Sequence, residues 1–169
     1  MKAGRIIPIE RKDTRPMTER RFDTVADIIA FAIEREIAAA EGYARIAGLA
    51  RTPGLRELAE DLRDQEIDHR RILAGLPPGP LGRRAASEGL DLHLVDALAA
   101  EAPSGEMSLQ DMLIFAAKKE AQSVALYESL TRSAGSPDED RVFRFLAGQE
   151  REHKLRLETA YENHILQEN

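Results

Sequence analysis

Six side chains able to ligate a metal occur in this sequence as two copies of one pattern. Glu36, Glu66 and His69 in the first half are matched by Glu120, Glu150 and His153 in the second, each pair 84 residues apart. Tyr43 and Tyr127 keep the same offset, so each half reads Glu, Tyr seven residues later, and Glu-x-x-His thirty residues after the first Glu. Four matched pairs at one spacing mark an internal duplication. A Glu and a His three residues apart share one face of a helix, and carboxylate with imidazole is a donor set for iron, zinc or manganese. Cysteine is absent, which excludes disulfides, thiolate zinc sites, iron–sulfur clusters and thiol nucleophiles. Any metal must therefore be held by nitrogen and oxygen.

Placement on helix faces strengthens this reading. Steps of three and four give apolar stripes Ile29, Ile33, Glu36, Ala40, Tyr43, Ala47 on a first helix and Leu55, Leu62, Glu66, His69, Leu73 on a second. A third carries Leu113, Ala117, Glu120, Val124, Tyr127, and a fourth Phe143, Leu146, Glu150, His153, Leu157. All six ligand-type residues fall on faces that should point inward, and no Lys or Arg shares those stripes. Four ionised carboxylates in a low-dielectric core would repel one another and forfeit hydration worth several kcal/mol each. Two divalent cations would balance them, with neutral imidazoles adding no charge. A dinuclear site, two metal ions per chain, follows as the expectation.

The elements that must position these residues are helices. Ala, Leu, Glu and Arg dominate long runs free of proline, aromatics are few and tryptophan is missing. Thr24 with Asp27 forms a capping-box signature for a helix running to about Arg51, and Thr52-Pro53 starts a second running to about Ala74. Ser108 with Asp111 caps a third helix to about Ala134, and Gly135-Ser136-Pro137 turns the chain into a fourth from about Asp138 to Leu166. Two short hairpins separated by a long connection, residues 75–107, predict an all-α, ferritin-like four-helix bundle rather than a simple up-and-down one. Helices of about 27 residues are about 40 Å long at 1.5 Å per residue, so that connection must cross the bundle's length. One or two short helices are expected within 85–102. Glu36 stands as far before Thr52 as Glu66 and His69 stand after it, so the hairpin brings the ligands level. The second hairpin repeats this around Ser136.

A chain of 169 residues with 43% hydrophobic residues fits one such domain, over 23–169, preceded by a basic tail at 1–22. The net charge of −6 and the lack of a clustered basic surface argue against nucleic acid as a partner. No apolar run of about 18 residues exists to span a membrane and no secretory signal is apparent, so a cytoplasmic location is expected.

The ordered set Ala32-Ile33-Glu34-Arg35-Glu36, then Tyr43, then Glu66-Ile67-Asp68-His69, echoed in the second half, resembles the rubrerythrin branch of the ferritin-like superfamily. The resemblance covers roughly Thr24 to Leu166. It implies an iron-binding oxidoreductase in which Glu66 and Glu150 bridge the two metals, Glu36 and Glu120 are terminal ligands, and each metal takes one histidine. It also implies a homodimer. Without cysteine the chain has no rubredoxin-type domain, so electrons for a peroxidase would come from a separate donor. The family's extra glutamate one turn after the third-helix ligand is Ser123 here, with Ala39 as its counterpart. The centre therefore resembles the symmetric ones of bacterioferritins.

Such a site would oxidise Fe(II) with O2 or reduce hydrogen peroxide. The alternatives are a non-catalytic storage or carrier bundle, a structural zinc site, and a metal-free interaction module using the tail from Arg5 to Arg21. A substrate hydroxylase would need an apolar pocket beside the metals. Tyr43 and Tyr127 read either as donors to the ligating carboxylates or as ordinary core. His93 and His164 lack repeat partners and read as structural or solvated, and Glu34 and Glu41 as surface charge. A single Glu-x-x-His without a second histidine on the helix is not a zinc-protease motif.

Overall fold

The computed structural model describes residues 24–76 and 107–166. The tail, the short helices expected over 85–102 and His93 lie outside the described residues.

Four helices form where the capping residues stand: α1 Val25–Leu49, α2 Pro53–Ala74, α3 Leu109–Arg132 and α4 Pro137–Tyr161, the last running into a π-turn at Glu162–Leu166. The Asp27 amide donates to Thr24 Oγ1 at 3.3 Å and the Thr24 amide to Asp27 Oδ2 at 2.8 Å. Ser108 and Asp111 repeat this box on α3. Thr52 caps α2 and Ser136 caps α4, each followed by proline at the first helical position, where its missing N–H costs nothing. Thus α4 begins at Pro137, one residue before the expected start, and α1 and α3 each end two residues early. All four cap residues obey the 84-residue offset, Thr24 with Ser108 and Thr52 with Ser136. Helices that start at matched positions put matched ligands at matched heights.

The helices pack as two hairpins, α1 on α2 and α3 on α4, with lighter contact between α1 and α3 and between α2 and α4. The core consists of two apolar clusters. One gathers Val25, Ile28 and Phe31 from the start of α1, Leu73 from the end of α2, Leu126 and Leu130 from the end of α3, and Phe143 and Leu146 from the start of α4. The other gathers the opposite helix ends, including Ile46, Leu55, Leu62, Leu113 and Leu157. Hence α1 runs antiparallel to α2 and to α3, and α4 runs antiparallel to α3 and to α2. The chain leaves α2 at the first end, where Leu76 packs, and re-enters at the second, where Leu109 and Met112 pack. A connection between opposite ends is the topology expected of a ferritin-like bundle.

The stripes expected for α2 and α4 are all buried. On α1 Tyr43 and Ala47 are buried as expected, but toward the start of the helix the stripe sits one residue away from the expectation. Ile28, Phe31 and Ala32 are fully buried, while Ile29 and Ile33 are half-buried. Because α1 leans chiefly on α2, its buried arc is turned toward that neighbour.

Candidate metal centre

Between the two apolar clusters lies one polar layer. Glu36, Glu66, His69, Glu120, Glu150 and His153 are all buried, none more than 3% exposed. Each helix contributes its share by simple periodicity: α1 and α3 one glutamate each, α2 and α4 a glutamate and a histidine one turn apart.

Glu66, His69, Glu150 and His153 form the centre, each offering a ligand atom within 4.8 Å of the others. His69 Nδ1 is 3.1 Å from Glu66 Oε2 and 3.1 Å from Glu150 Oε1. His153 Nδ1 is 2.9 Å from Glu66 Oε1 and 3.3 Å from Glu150 Oε2. Each central carboxylate therefore turns one oxygen to each imidazole. The two rings stack at 5.3 Å, with planes 13° apart. Glu36 and Glu120 flank this group: Glu36 Oε2 is 3.8 Å from His69 Nδ1, and the Glu120 carboxyl lies against that of Glu150.

The tyrosines make hydrogen bonds that the spacing alone does not pair. Tyr43 on α1 donates its phenol O–H to Glu120 on α3, and Tyr127 on α3 donates to Glu36 on α1. Each rises from a different apolar cluster and holds the flanking carboxylate of the other hairpin. Burial, then the charge of the carboxylate each faces, pushes both phenols well above their ordinary pKa, so both remain donors. Gln65, which the sequence reading passed over, accepts at Oε1 from His153 Nε2 at 3.1 Å. Its counterpart at the 84-residue offset is Gln149, a fifth matched pair that was available in the sequence.

The electrostatics are those of a buried group that could hold a cation. Burial, followed by the charge of Glu150, pushes Glu66 and Glu120 well above the ordinary carboxyl range. Burial opposes charge on Glu150 too, but bonds from His153 and His69 overcome it and bring it to about 2. The same partners act on His69: against burial, Glu150, Glu36 and Glu66 raise it to about 12. Protonation thus offsets part of the repulsion among these carboxylates. Arg35, the nearest basic residue in sequence to Glu36, is directed across to α3, donating to Lys119 O and Ser123 Oγ at 3.2 Å each. Ser123, which stands where a further glutamate is expected by resemblance, is occupied by this strap. Glu34 and Glu41 are exposed, and His164 lies in the π-turn beyond α4, outside the ligand group.

A cavity of about 870 Å³ opens between α1 and α3 and reaches Glu36, Tyr43 and Glu120, with Phe31, Ile46 and Phe115 among its apolar walls. Among the described residues, no helix is long and apolar enough to cross a membrane.

No family model matches the chain, and no curated protein matches it. Among solved structures, a hypothetical protein from Pyrococcus furiosus is similar, with a TM-score of 0.64 and 22% identity over 87% of this chain and 94% of that one. The likeness carries the four-helix fold and nothing of its chemistry.

Proposed function

We propose that this protein is a dinuclear iron oxidoreductase of rubrerythrin-like type, with Glu66 and Glu150 shared between two ions, Glu36 and His69 completing one, and Glu120 and His153 the other. The observation that carries this reading is the pair of central carboxylates, each offering one oxygen to each imidazole. The donors also fit a cation on their own terms. Both Glu150 oxygens are fully buried and face the two imidazoles, at 3.1 Å and 3.3 Å, so a carboxylate and two ring nitrogens converge where a cation could be shared. Oxygen and nitrogen donors with positions left open suit iron, manganese or zinc.

With two ferrous ions held, the centre supplies two electrons at once, enough to take hydrogen peroxide and two protons to two waters, or O2 and two protons to hydrogen peroxide. The chain's own residues do the rest. Tyr43 and Tyr127 hold the flanking carboxylates in place before any ion arrives, and second-sphere donors of this kind orient ligands and tune the metal. His69 carries a proton that loading must release, and the raised pKa of Glu66 adds to that release. Since the chain holds no second redox group of the thiolate kind, repeated turnover of peroxide draws on an external donor. The proposed assembly is a homodimer.

The cavity beside Glu36 and Glu120 favours a second reading, oxidation of an apolar organic substrate, because its walls give such a molecule a place against the centre. An anaerobic Fe(II) titration of metal-free protein, followed by O2 or by hydrogen peroxide, tests the main reading. Two Fe(II) per chain and rapid ferric absorption are expected, and the faster oxidant ranks the two activities. Binding without oxidation would leave a carrier or structural zinc bundle, and no stoichiometric binding would overturn the metal reading altogether.

A further inference from the structure

The ligands repeat between the two hairpins, but the residues behind them do not. Gln65 Nε2 donates to Asp61 Oδ2 at 2.9 Å, and the same Asp61 oxygen accepts from Arg156 at 2.6 Å. With its N–H turned to Asp61, the Gln65 amide presents its carbonyl oxygen to His153. A proton on His153 Nε2 then meets that carbonyl, and Nδ1, which faces Glu66 and Glu150, is the nitrogen that would ligate a metal held there. The chain His153–Gln65–Asp61–Arg156 starts on α4, takes two residues of α2 and returns to α4, fixing the tilt of one imidazole.

Around His69 the same positions read differently. Gln149 precedes Glu150 as Gln65 precedes Glu66, but Phe145 replaces Asp61 and Ile72 replaces Arg156 at the 84-residue offset. Neither offers a hydrogen-bonding group to orient an amide, and Phe145 is 50% exposed. The two halves are alike in their ligands and unlike one layer out.

We propose that the two metal positions are inequivalent, the one served by His153 filling first and binding tighter because Gln65, anchored by Asp61 and Arg156, holds that imidazole ready. The proposal rests on the dinuclear reading above. Gln65 is a positioning residue acting through His153, and such partners change metal affinity by about 10- to 100-fold. The site then keeps one resident ion and one that exchanges.

Titrating the full-length metal-free protein with Co(II), followed by its visible absorption, and with Zn(II) by calorimetry, tests this. Two steps separated by about tenfold or more are expected. Gln65→Leu weakens the first step by about tenfold or more, and Gln149→Leu leaves it unchanged. Asp61→Ala, at an exposed position, weakens the first step without threatening the fold. Nitrogen-15 NMR of the Zn(II)-loaded protein gives a readout that packing alone would not move: one histidine Nε2–H kept hydrogen-bonded and slow to exchange in wild type and in Gln149→Leu, and freed in Gln65→Leu. Two ions bound with equal affinity, or equal effects of Gln65→Leu and Gln149→Leu, would overturn the inequivalence and leave the dinuclear reading standing. Absence of any binding would remove both.

Discussion

Replacing Glu120 by glutamine should change the protein's stability in opposite directions without and with metal. The substitution keeps the shape and the acceptor oxygen for Tyr43 but abolishes ionisation. In the metal-free protein, burial and the neighbouring Glu150 and Glu66 hold the Glu120 pKa well above 4.5. A carboxyl whose folded pKa is raised contributes stability that is fully present below its unfolded pKa and is lost as pH rises through the folded one. Within that window the loss is about 1.4 kcal/mol per pH unit. Glutamine does not titrate, so as pH rises above 4.5 the variant should gain on the wild type by about 1.4 kcal/mol per pH unit until Glu120 ionises. For a chain of this size each kcal/mol is about 2–4 °C in melting temperature. With metal present the order reverses. Saturation at about a thousand times Kd stabilises by about 4 kcal/mol per site, and the variant, short of one anionic ligand, should forfeit much of it. Melting curves of both proteins at pH 5.5 and 7.5, with chelator and then with Zn(II), give the comparison. A metal-free variant that melts below wild type at pH 7.5, or equal stabilisation of both by metal, would refute the reasoning.

Further expectations follow from the same geometry. Tyr43→Phe and Tyr127→Phe each leave a buried carboxylate oxygen without its donor, at about 1–3 kcal/mol, and should weaken metal binding about tenfold by titration; no change in affinity would make the tyrosines mere core. Because His69 is raised to about 12, it holds a proton at neutral pH that the metal must displace, and the raised pKa of Glu66 acts in the same direction. Affinity should therefore rise with pH, with proton release visible in calorimetry performed in buffers of different ionisation enthalpy. For the metal-free protein the sign is opposite: the contribution of the His69 proton is complete below pH 6.5 and lost on the way to 12, so its melting temperature should fall as pH rises. Phe143→Ala, in the apolar cluster away from the ligands, should cost about 3–5 kcal/mol in chemical denaturation while leaving the stoichiometry of metal binding unchanged.

Much of the fold and of the layer at its centre was legible because both obey one repeat. The caps Thr24, Thr52, Ser108 and Ser136 announce helix starts in local chemistry that needs no tertiary contact. Glu-x-x-His needs only helical periodicity to place its two side chains together. What the sequence could not convey is how one hairpin is rotated against the other. That rotation turns Tyr43 to Glu120 rather than to a carboxylate of its own half. It also brings His153 to Gln65 and spends Arg35 on α3. The misplaced apolar stripe of α1 has the same origin: stepping back from Glu36 by threes and fours leads through Ile33 and Ile29, but the contact with α2 selects Ala32 and Ile28.

The exchanged contacts also say how the site and the fold depend on each other. Neither hairpin alone can complete the centre, since each imidazole sits between carboxylates of both hairpins and each flanking carboxylate takes its phenol donor from the other. The apolar clusters at either end of the bundle drive the hairpins together, while the layer between them resists, four buried carboxyl groups converging in it. Something positive must enter as that layer closes. In the metal-free chain a proton on His69 supplies part of it, and burial pushes Glu66 toward its neutral form. A cation that replaces that proton relieves the repulsion and joins the hairpins at the one level where the core does not, so metal binding should bring its largest stabilisation at the contact between α2 and α4, where both Glu-x-x-His pairs face each other.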